Sequence, residues 1–79
     1  MLRGVVSHRQ ITRTRRVLAA NLLRLREELE MSQEAFAEKL GLHRTYISSV
    51  ERCQRNVSVD NLDKISKALR VKASALLDE

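Results

Sequence analysis

The sequence predicts a single all-α domain made of short helices, and three observations support this fold class. The 79 residues contain no proline and two glycines, and the helix-forming residues Ala, Leu, Glu and Arg are abundant. Beyond residue 13, apolar side chains recur every three or four positions, which places them on one face of a helix. Serine precedes two of these apolar segments, at the position where a helix N-cap is expected. We therefore expect a compact five-helix domain over residues 14–79, preceded by a flexible basic arm over residues 1–13.

Helix 1 is predicted over residues 14–30. Its apolar side chains lie four, three and four positions apart and form one stripe: Leu18, Leu22, Leu25 and Leu29. Either Thr12 or Thr14 would serve as its N-cap, since a threonine hydroxyl accepts a hydrogen bond from a free N–H of the first turn.

Helix 2 is predicted over residues 33–40, after the N-cap Ser32 and before Gly41, which supplies the left-handed residue that ends a helix. Helix 3 follows over residues 44–52. Its apolar residues point inward, whereas its other faces carry polar or basic side chains: Arg44, Thr45, Ser48, Ser49 and Arg52. Helix 3 is therefore short and has a polar outer surface that carries no acid.

The C-terminal third predicts two further helices. A loop over residues 53–57 leads to Ser58, which would cap helix 4. Helix 4 buries apolar residues three and four positions apart: Leu62, Ile65, Ala68 and Leu69. A turn at Val71 then precedes a last short helix over residues 73–78.

The formal charge of +5 is concentrated at the N-terminus. Residues 1–16 hold five arginines and no acid, whereas residues 17–79 hold ten basic and ten acidic side chains. Outside the arm, a polyanion would therefore be bound by local clustering of basic residues and not by the overall charge.

The composition argues against several classes of protein. A single cysteine, Cys53, allows no intrachain disulfide, and this fits a reducing cytoplasm. No apolar run approaches the ~18–20 residues that span a membrane. The two histidines, His8 and His43, stand in no metal-binding or nucleophile–base spacing, and no glycine-rich phosphate loop is present. We expect no enzyme, cofactor, metal, membrane contact or small-molecule substrate.

The central segment predicts two helices joined by a tight turn. Three residues, beginning at Gly41, separate residues 33–40 from residues 44–52. Such a turn makes the helices cross steeply and lets the second protrude, and a protruding helix fits the major groove of DNA, which is about 12 Å wide. The segment SQEAFAEKLGLHRTYISSVERCQRNVS resembles the phage-repressor-like (lambda/Cro, XRE-type) helix-turn-helix family, and the match extends from Leu22 to Leu77. Within that family, RTYISSVER followed by RNVS is similar to the controller proteins of restriction–modification systems.

The resemblance implies a lambda-repressor-like fold and a sequence-specific transcription regulator that binds double-stranded DNA, with residues 44–52 as the recognition helix. Four residues would face base edges: Arg44, Thr45, Ser48 and Ser49. Arginine pairs with guanine O6 and N7, and threonine offers a hydroxyl or a methyl group. Seven residues would contact phosphates: Gln33, His43, Tyr46, Arg52, Gln54, Arg55 and Asn56. Gln33 lies at a helix N-terminus, where free N–H groups and the helix dipole favour an anion.

The resemblance also pairs Arg26 of helix 1 with Glu51 at the end of helix 3. We expect a partly buried structural ion pair that fixes the recognition helix, so that removal of one partner costs about 3–5 kcal/mol. Two exposed charges would contribute little. The chain departs from the family at Glu30 and Cys53, where glycine is common, and a left-handed backbone there would cost about 1–2 kcal/mol.

Selective binding predicts a homodimer, because one recognition helix contacts too few base pairs and a palindromic operator presents two half-sites. The resemblance places the dimer interface at the C-terminal end, with Val71, Leu76 and Leu77 as candidates, and at least one of these leucines is expected to complete the monomer core instead. The arm over residues 1–13 would add phosphate contacts, enter the minor groove, or have no role.

Two other functions remain open. Helix-turn-helix folds also serve protein partners in antitoxins and coactivator-bridging proteins, and such an adaptor would carry apolar anchors on the outer face of residues 44–52. The other is non-specific nucleic-acid binding by the arginine arm, which deletion of residues 1–13 would separate from specific recognition.

Overall fold

The computed structural model describes residues 11–79, which form four α-helices and one 3₁₀ helix. These elements are α1 (Arg13–Glu28), α2 (Gln33–Leu40), α3 (Arg44–Glu51), α4 (Val59–Leu69) and a C-terminal 3₁₀ helix (Ala73–Leu77). No strand occurs within residues 11–79, and the predicted all-α class is confirmed. The last element is a 3₁₀ helix and not an α-helix, since short terminal segments favour the tighter i→i+3 hydrogen bonding. The first ten residues of the predicted arm lie outside the described residues.

Hydroxyl side chains determine where three of the helices begin. Thr12, Ser32 and Ser58 have extended backbones, and each side-chain oxygen accepts a hydrogen bond of 3.0–3.1 Å from the N–H three residues ahead. Each bond satisfies an N–H that would otherwise lack a helical partner. The serine caps are confirmed, and Thr12 is the cap of the two threonine candidates. As a result, α1 begins at Arg13, one residue before its predicted start.

Four residues adopt the left-handed conformation where helices end. Gly41 closes α2 at φ 70°, as predicted. Glu30 and Cys53 have φ values of 56° and 61°, so the chain keeps the backbone that glycine would favour, at a cost of about 1–2 kcal/mol for each residue. Arg70, which caps α4 at φ 59°, is a further case that the sequence pattern does not signal.

The core joins the apolar faces of all five elements. Its buried members are Leu18, Leu22, Phe36, Ala37, Leu40, Ile47, Val50, Ile65 and Leu76. The 3₁₀ helix packs against both α1 and α4, and this contact leaves Leu76 only 1 % exposed. The prediction that Leu76 lies in a dimer interface is therefore wrong, and Leu76 is the leucine that completes the monomer core, as was expected of at least one of the two. Leu29 is 44 % exposed and leaves the predicted stripe, because α1 has already ended and Leu29 is its C-cap.

Candidate nucleic-acid interface

Helix α3 presents a polar surface to solvent, and its apolar residues pack against the hydrophobic core. Ile47 and Val50 are buried in the core, whereas Arg44 and Thr45 are exposed at the start of the helix. The other two predicted base contacts, Ser48 and Ser49, are half-buried. The Ser49 Oγ donates a 2.7 Å hydrogen bond to the Thr45 carbonyl, so its hydroxyl offers only lone pairs to a ligand.

The turn between α2 and α3 is fixed by a residue of α4. The Lys64 Nζ donates a 3.0 Å hydrogen bond to the Gly41 carbonyl, next to the C-terminal end of α2. A cation at this end also interacts favourably with the helix dipole. Lys64 therefore links α4 to the turn between α2 and α3, a contact that no feature of the sequence spacing indicated.

Arg26 of α1 and Glu51 of α3 form a forked ion pair. The Arg26 Nε donates to Glu51 Oε2 at 2.7 Å and its Nη2 donates to Glu51 Oε1 at 3.1 Å. Its Nη1 donates to the Met31 carbonyl at 2.9 Å. The two side chains are 17 % and 5 % exposed, so the pair is partly buried. The hydrogen bonds with Glu51 raise the pKa of Arg26 above its ordinary value, because they favour the charged form of the guanidinium.

Gln33 joins this pair to α2. Its Nε2 donates a 2.9 Å hydrogen bond to Glu51 Oε1, so one of its two amide hydrogens is committed within the protein. The second hydrogen remains for the predicted phosphate contact. The backbone N–H groups of Gln33 and Glu34 also have no partner among residues 11–79, since Ser32 caps the N–H of Ala35. The exposed Glu34 carboxylate lies in the same first turn and opposes an anion there.

Two predicted phosphate contacts, Tyr46 and Arg55, lie in contact with each other. The Arg55 guanidinium carbon lies 4.9 Å from the centre of the Tyr46 ring. The Tyr46 hydroxyl oxygen accepts a 3.0 Å hydrogen bond from the Asn61 Nδ2 of α4. Asn61 was not among the predicted site residues, because its 15-residue separation from Tyr46 follows no helical or strand period.

The other predicted phosphate contacts surround α3 at its two ends. His43 is the N-cap of α3 and makes no side-chain capping bond, and Arg52 is its C-cap. Gln54 and Asn56 lie in the loop that follows, and all four side chains are exposed. From residue 42 to residue 57 the sequence holds three arginines and one acid, and that acid is paired with Arg26. The exposed charge of this segment is therefore positive.

The C-terminal face offers a small apolar surface. Leu77 is 38 % exposed and lines an open groove of about 360 Å³ together with Val57 and Leu62. Val71 is half-buried against the core. Of the three predicted dimer contacts, Leu77 is thus the most accessible.

The described part of the chain holds neither a metal-binding cluster nor a helix able to span a membrane. Residues 11–79 contain no group of three or more His, Cys, Asp or Glu side chains arranged to hold a metal ion. No helix within the same range has the length and apolar character needed to cross a membrane. Cys53 is a half-buried free thiol.

Comparison with known proteins identifies a family and several relatives. The helix-turn-helix family model HTH_3 matches residues 22–76. The control protein C.BamHI of Bacillus amyloliquefaciens is 62 % identical over 48 residues, which cover 61 % of this chain and 59 % of that protein. The chain therefore spans less than two thirds of that relative.

Two solved structures also superpose on this chain. The hypothetical transcription factor NHTF from Neisseria superposes with a TM-score of 0.77 at 36 % identity, over 99 % of this chain and 86 % of that one. The restriction–modification controller protein C.Esp1396I, solved as a tetramer in complex with its natural 35-base-pair operator, has a TM-score of 0.73 at 34 % identity. That match covers 82 % of this chain and 86 % of the controller.

Proposed function

Because this chain belongs to the HTH_3 helix-turn-helix family, we propose that it is a sequence-specific transcription regulator that binds double-stranded DNA with α3 in the major groove. One observation carries the proposal: α3 exposes Arg44 and Thr45 on a polar surface, while its apolar face is anchored in the core. An arginine and a threonine in this place suit the readout of base edges. The control protein C.BamHI and the restriction–modification controller protein C.Esp1396I are among its relatives, so we assign the chain to that role.

The proposed working unit is a homodimer on a palindromic operator, with residues 14–79 as the DNA-binding domain and residues 1–13 as a basic arm. The exposed Leu77 supports a C-terminal interface, with Val71 at its edge. The predicted phosphate contacts would flank α3, since their side chains surround both of its ends. In this role the chain has no catalytic activity and acts on the nucleoid in the cytoplasm.

A protein-interaction module of the same fold is the second candidate, and the exposed surface argues against it. An adaptor helix needs apolar anchors. The large apolar side chains exposed within residues 11–79 are Leu29, Val59 and Leu77, and none of them belongs to α3. The surface of α3 therefore favours a nucleic acid over a protein partner.

In-vitro selection of bound duplexes from a random library, at near-physiological salt, tests the proposal. The expected product is an inverted repeat with half-sites about one helical turn apart. A folded protein that enriches no sequence would refute specific recognition. A chain lacking residues 1–13 should enrich the same repeat; if it binds no DNA at all, non-specific attraction by the arm is the better explanation.

A further inference from the structure

Tyr46 connects three parts of the molecule that the helix-turn-helix alone does not join. Its backbone belongs to α3, its hydroxyl oxygen accepts a 3.0 Å hydrogen bond from Asn61 of α4, and its ring faces Arg55 in the loop between these helices. The ring is half-buried and packs against the hydrophobic core. The position of the Tyr46 ring is thus restricted by packing and by a hydrogen bond, unlike that of the exposed side chains that surround it.

Asn61 is itself held rigidly, which determines the orientation of the Tyr46 ring. It is the third residue of α4, and its backbone N–H donates a 3.0 Å hydrogen bond to the capping oxygen of Ser58. Its side chain is half-buried. A side-chain amide in this place restricts where the phenol oxygen can lie, and so it restricts the plane of the ring.

Arg55 depends on that ring for its own orientation. The backbone before it is fixed as far as Gln54, whose N–H donates a 2.8 Å hydrogen bond to the Ser49 carbonyl. Within residues 11–79, Arg55 forms no ion pair with an acidic side chain. Its guanidinium carbon lies 4.9 Å from the centre of the Tyr46 ring, and this contact restricts the direction of the guanidinium.

We propose that Tyr46 is a positioning residue for DNA binding, whose ring, anchored to α4 through Asn61, holds the guanidinium of Arg55 ready to contact a DNA phosphate. This inference rests on the proposed function. An aromatic face stabilises a guanidinium while its N–H donors remain free for an anion. The Tyr46 hydroxyl, which accepts from Asn61, also keeps its own hydrogen for donation. Tyr46 would then act mainly through Arg55, and its ring would matter more than its hydroxyl.

A double-mutant cycle on the selected operator tests the coupling between the two side chains. Tyr46→Leu keeps an apolar side chain in the core and removes the aromatic face, and we expect it to weaken operator binding about two- to fivefold. Arg55→Ala should reduce the slope of log affinity against log salt by about 0.9, as expected for one lost phosphate contact. The double variant should bind about as tightly as Arg55→Ala alone, because the aromatic face acts on binding through the Arg55 guanidinium.

Two further variants test whether the effect on binding comes from the aromatic ring of Tyr46. One removes only the hydroxyl, and the other removes a different exposed arginine. Tyr46→Phe keeps the ring but loses the hydrogen bond from Asn61, so it should weaken operator binding less than Tyr46→Leu does. Arg52→Ala serves as the matched control, since Arg52 is also an exposed arginine at the end of α3 but does not contact the ring. Its effect should add to that of Tyr46→Leu. Thermal unfolding followed by circular dichroism checks that every variant is folded at the temperature of the binding assay.

A measurement without DNA tests the contact itself. Tyr46 is the single tyrosine and the chain contains no tryptophan, so its intrinsic emission reports on this ring alone. We expect Arg55→Ala to change that emission in the free protein and Arg52→Ala to leave it unaltered.

The outcomes separate this inference from the proposed function. Additive effects of Tyr46→Leu and Arg55→Ala, in a protein that selects an operator, would overturn the positioning role and leave the function standing. The same holds if Tyr46→Phe binds as weakly as Tyr46→Leu, because the aromatic face would then contribute nothing to binding. If the unaltered protein selects no operator, the proposed function fails and the positioning role fails with it.

Discussion

Replacing Glu51 by glutamine tests whether the partly buried ion pair holds the recognition helix. The carboxylate accepts three hydrogen bonds, two from Arg26 and one from the Nε2 of Gln33. A glutamine at this position has the same shape but only one acceptor oxygen, and its amide nitrogen would face one of the donors. At least one N–H group would lose its partner, and the charge of Arg26 would lose its counterion.

The expected loss follows from burial. Removing one partner of a buried pair costs about 3–5 kcal/mol, because the remaining charge is left uncompensated. Arg26 is 17 % exposed and keeps its bond to the Met31 carbonyl, so the value should lie near the lower limit. We expect a loss of about 3 kcal/mol, which for a domain of this size lowers the melting temperature by roughly 12–24 °C.

Urea unfolding followed by circular dichroism at a fixed protein concentration measures this loss. The matched control is Glu28→Gln, which removes a carboxylate that pairs with Arg24 four residues away on the exposed surface of α1. Those side chains are 54 % and 59 % exposed, so the control should cost no more than about 0.5 kcal/mol. If Glu51→Gln costs as little as Glu28→Gln, the burial argument is wrong and the pair is an ordinary surface contact.

Three further predictions concern the backbone, the DNA contact and the dimer. Glu30→Gly should raise the free energy of unfolding by about 1 kcal/mol in urea, because φ is 56° there, whereas Glu27→Gly within α1 should lower it by about as much. Arg44→Ala should weaken operator binding by about 1–3 kcal/mol in fluorescence anisotropy while affinity for unrelated duplex changes much less, and an equal loss on both would contradict base readout. Leu77→Glu should shift sedimentation towards the monomer while the circular dichroism spectrum stays that of the folded domain, whereas Leu76→Ala, in the core, should destabilise folding by about 2–5 kcal/mol.

Local chemistry accounts for the part of the fold that could be predicted from sequence. Helix α2 has both ends where the serine cap and the glycine place them, because capping depends on residues only a few positions apart. The left-handed conformation of Arg70 was missed, and the choice between Leu76 and Leu77 as the leucine that completes the core was left open, for the opposite reason. Both depend on how the C-terminal segment packs against α1 and α4, and no local pattern carries that information.

The contacts of the candidate site likewise fall into one that the sequence predicted and three that it did not. The family resemblance placed Arg26 beside Glu51, although 25 positions separate them. The bonds from Gln33 to Glu51, from Asn61 to Tyr46 and from Lys64 to Gly41 were not anticipated. Each joins residues 15–23 positions apart on different helices, so the apolar spacing that reveals helices cannot reveal these contacts.

These tertiary bonds are needed because α3 is too short to define its own position. Isolated helices shorter than about 12 residues are marginal in water, and the eight residues of α3 also lack a side-chain bond at the N-cap. Its orientation must therefore come from the core beneath it and from Arg26, which is paired with Glu51 at its C-terminal end. None of these contacts uses the side chains of Arg44 or Thr45. Substitution at those two positions should thus change which operator is bound while the free energy of unfolding changes by less than about 0.5 kcal/mol.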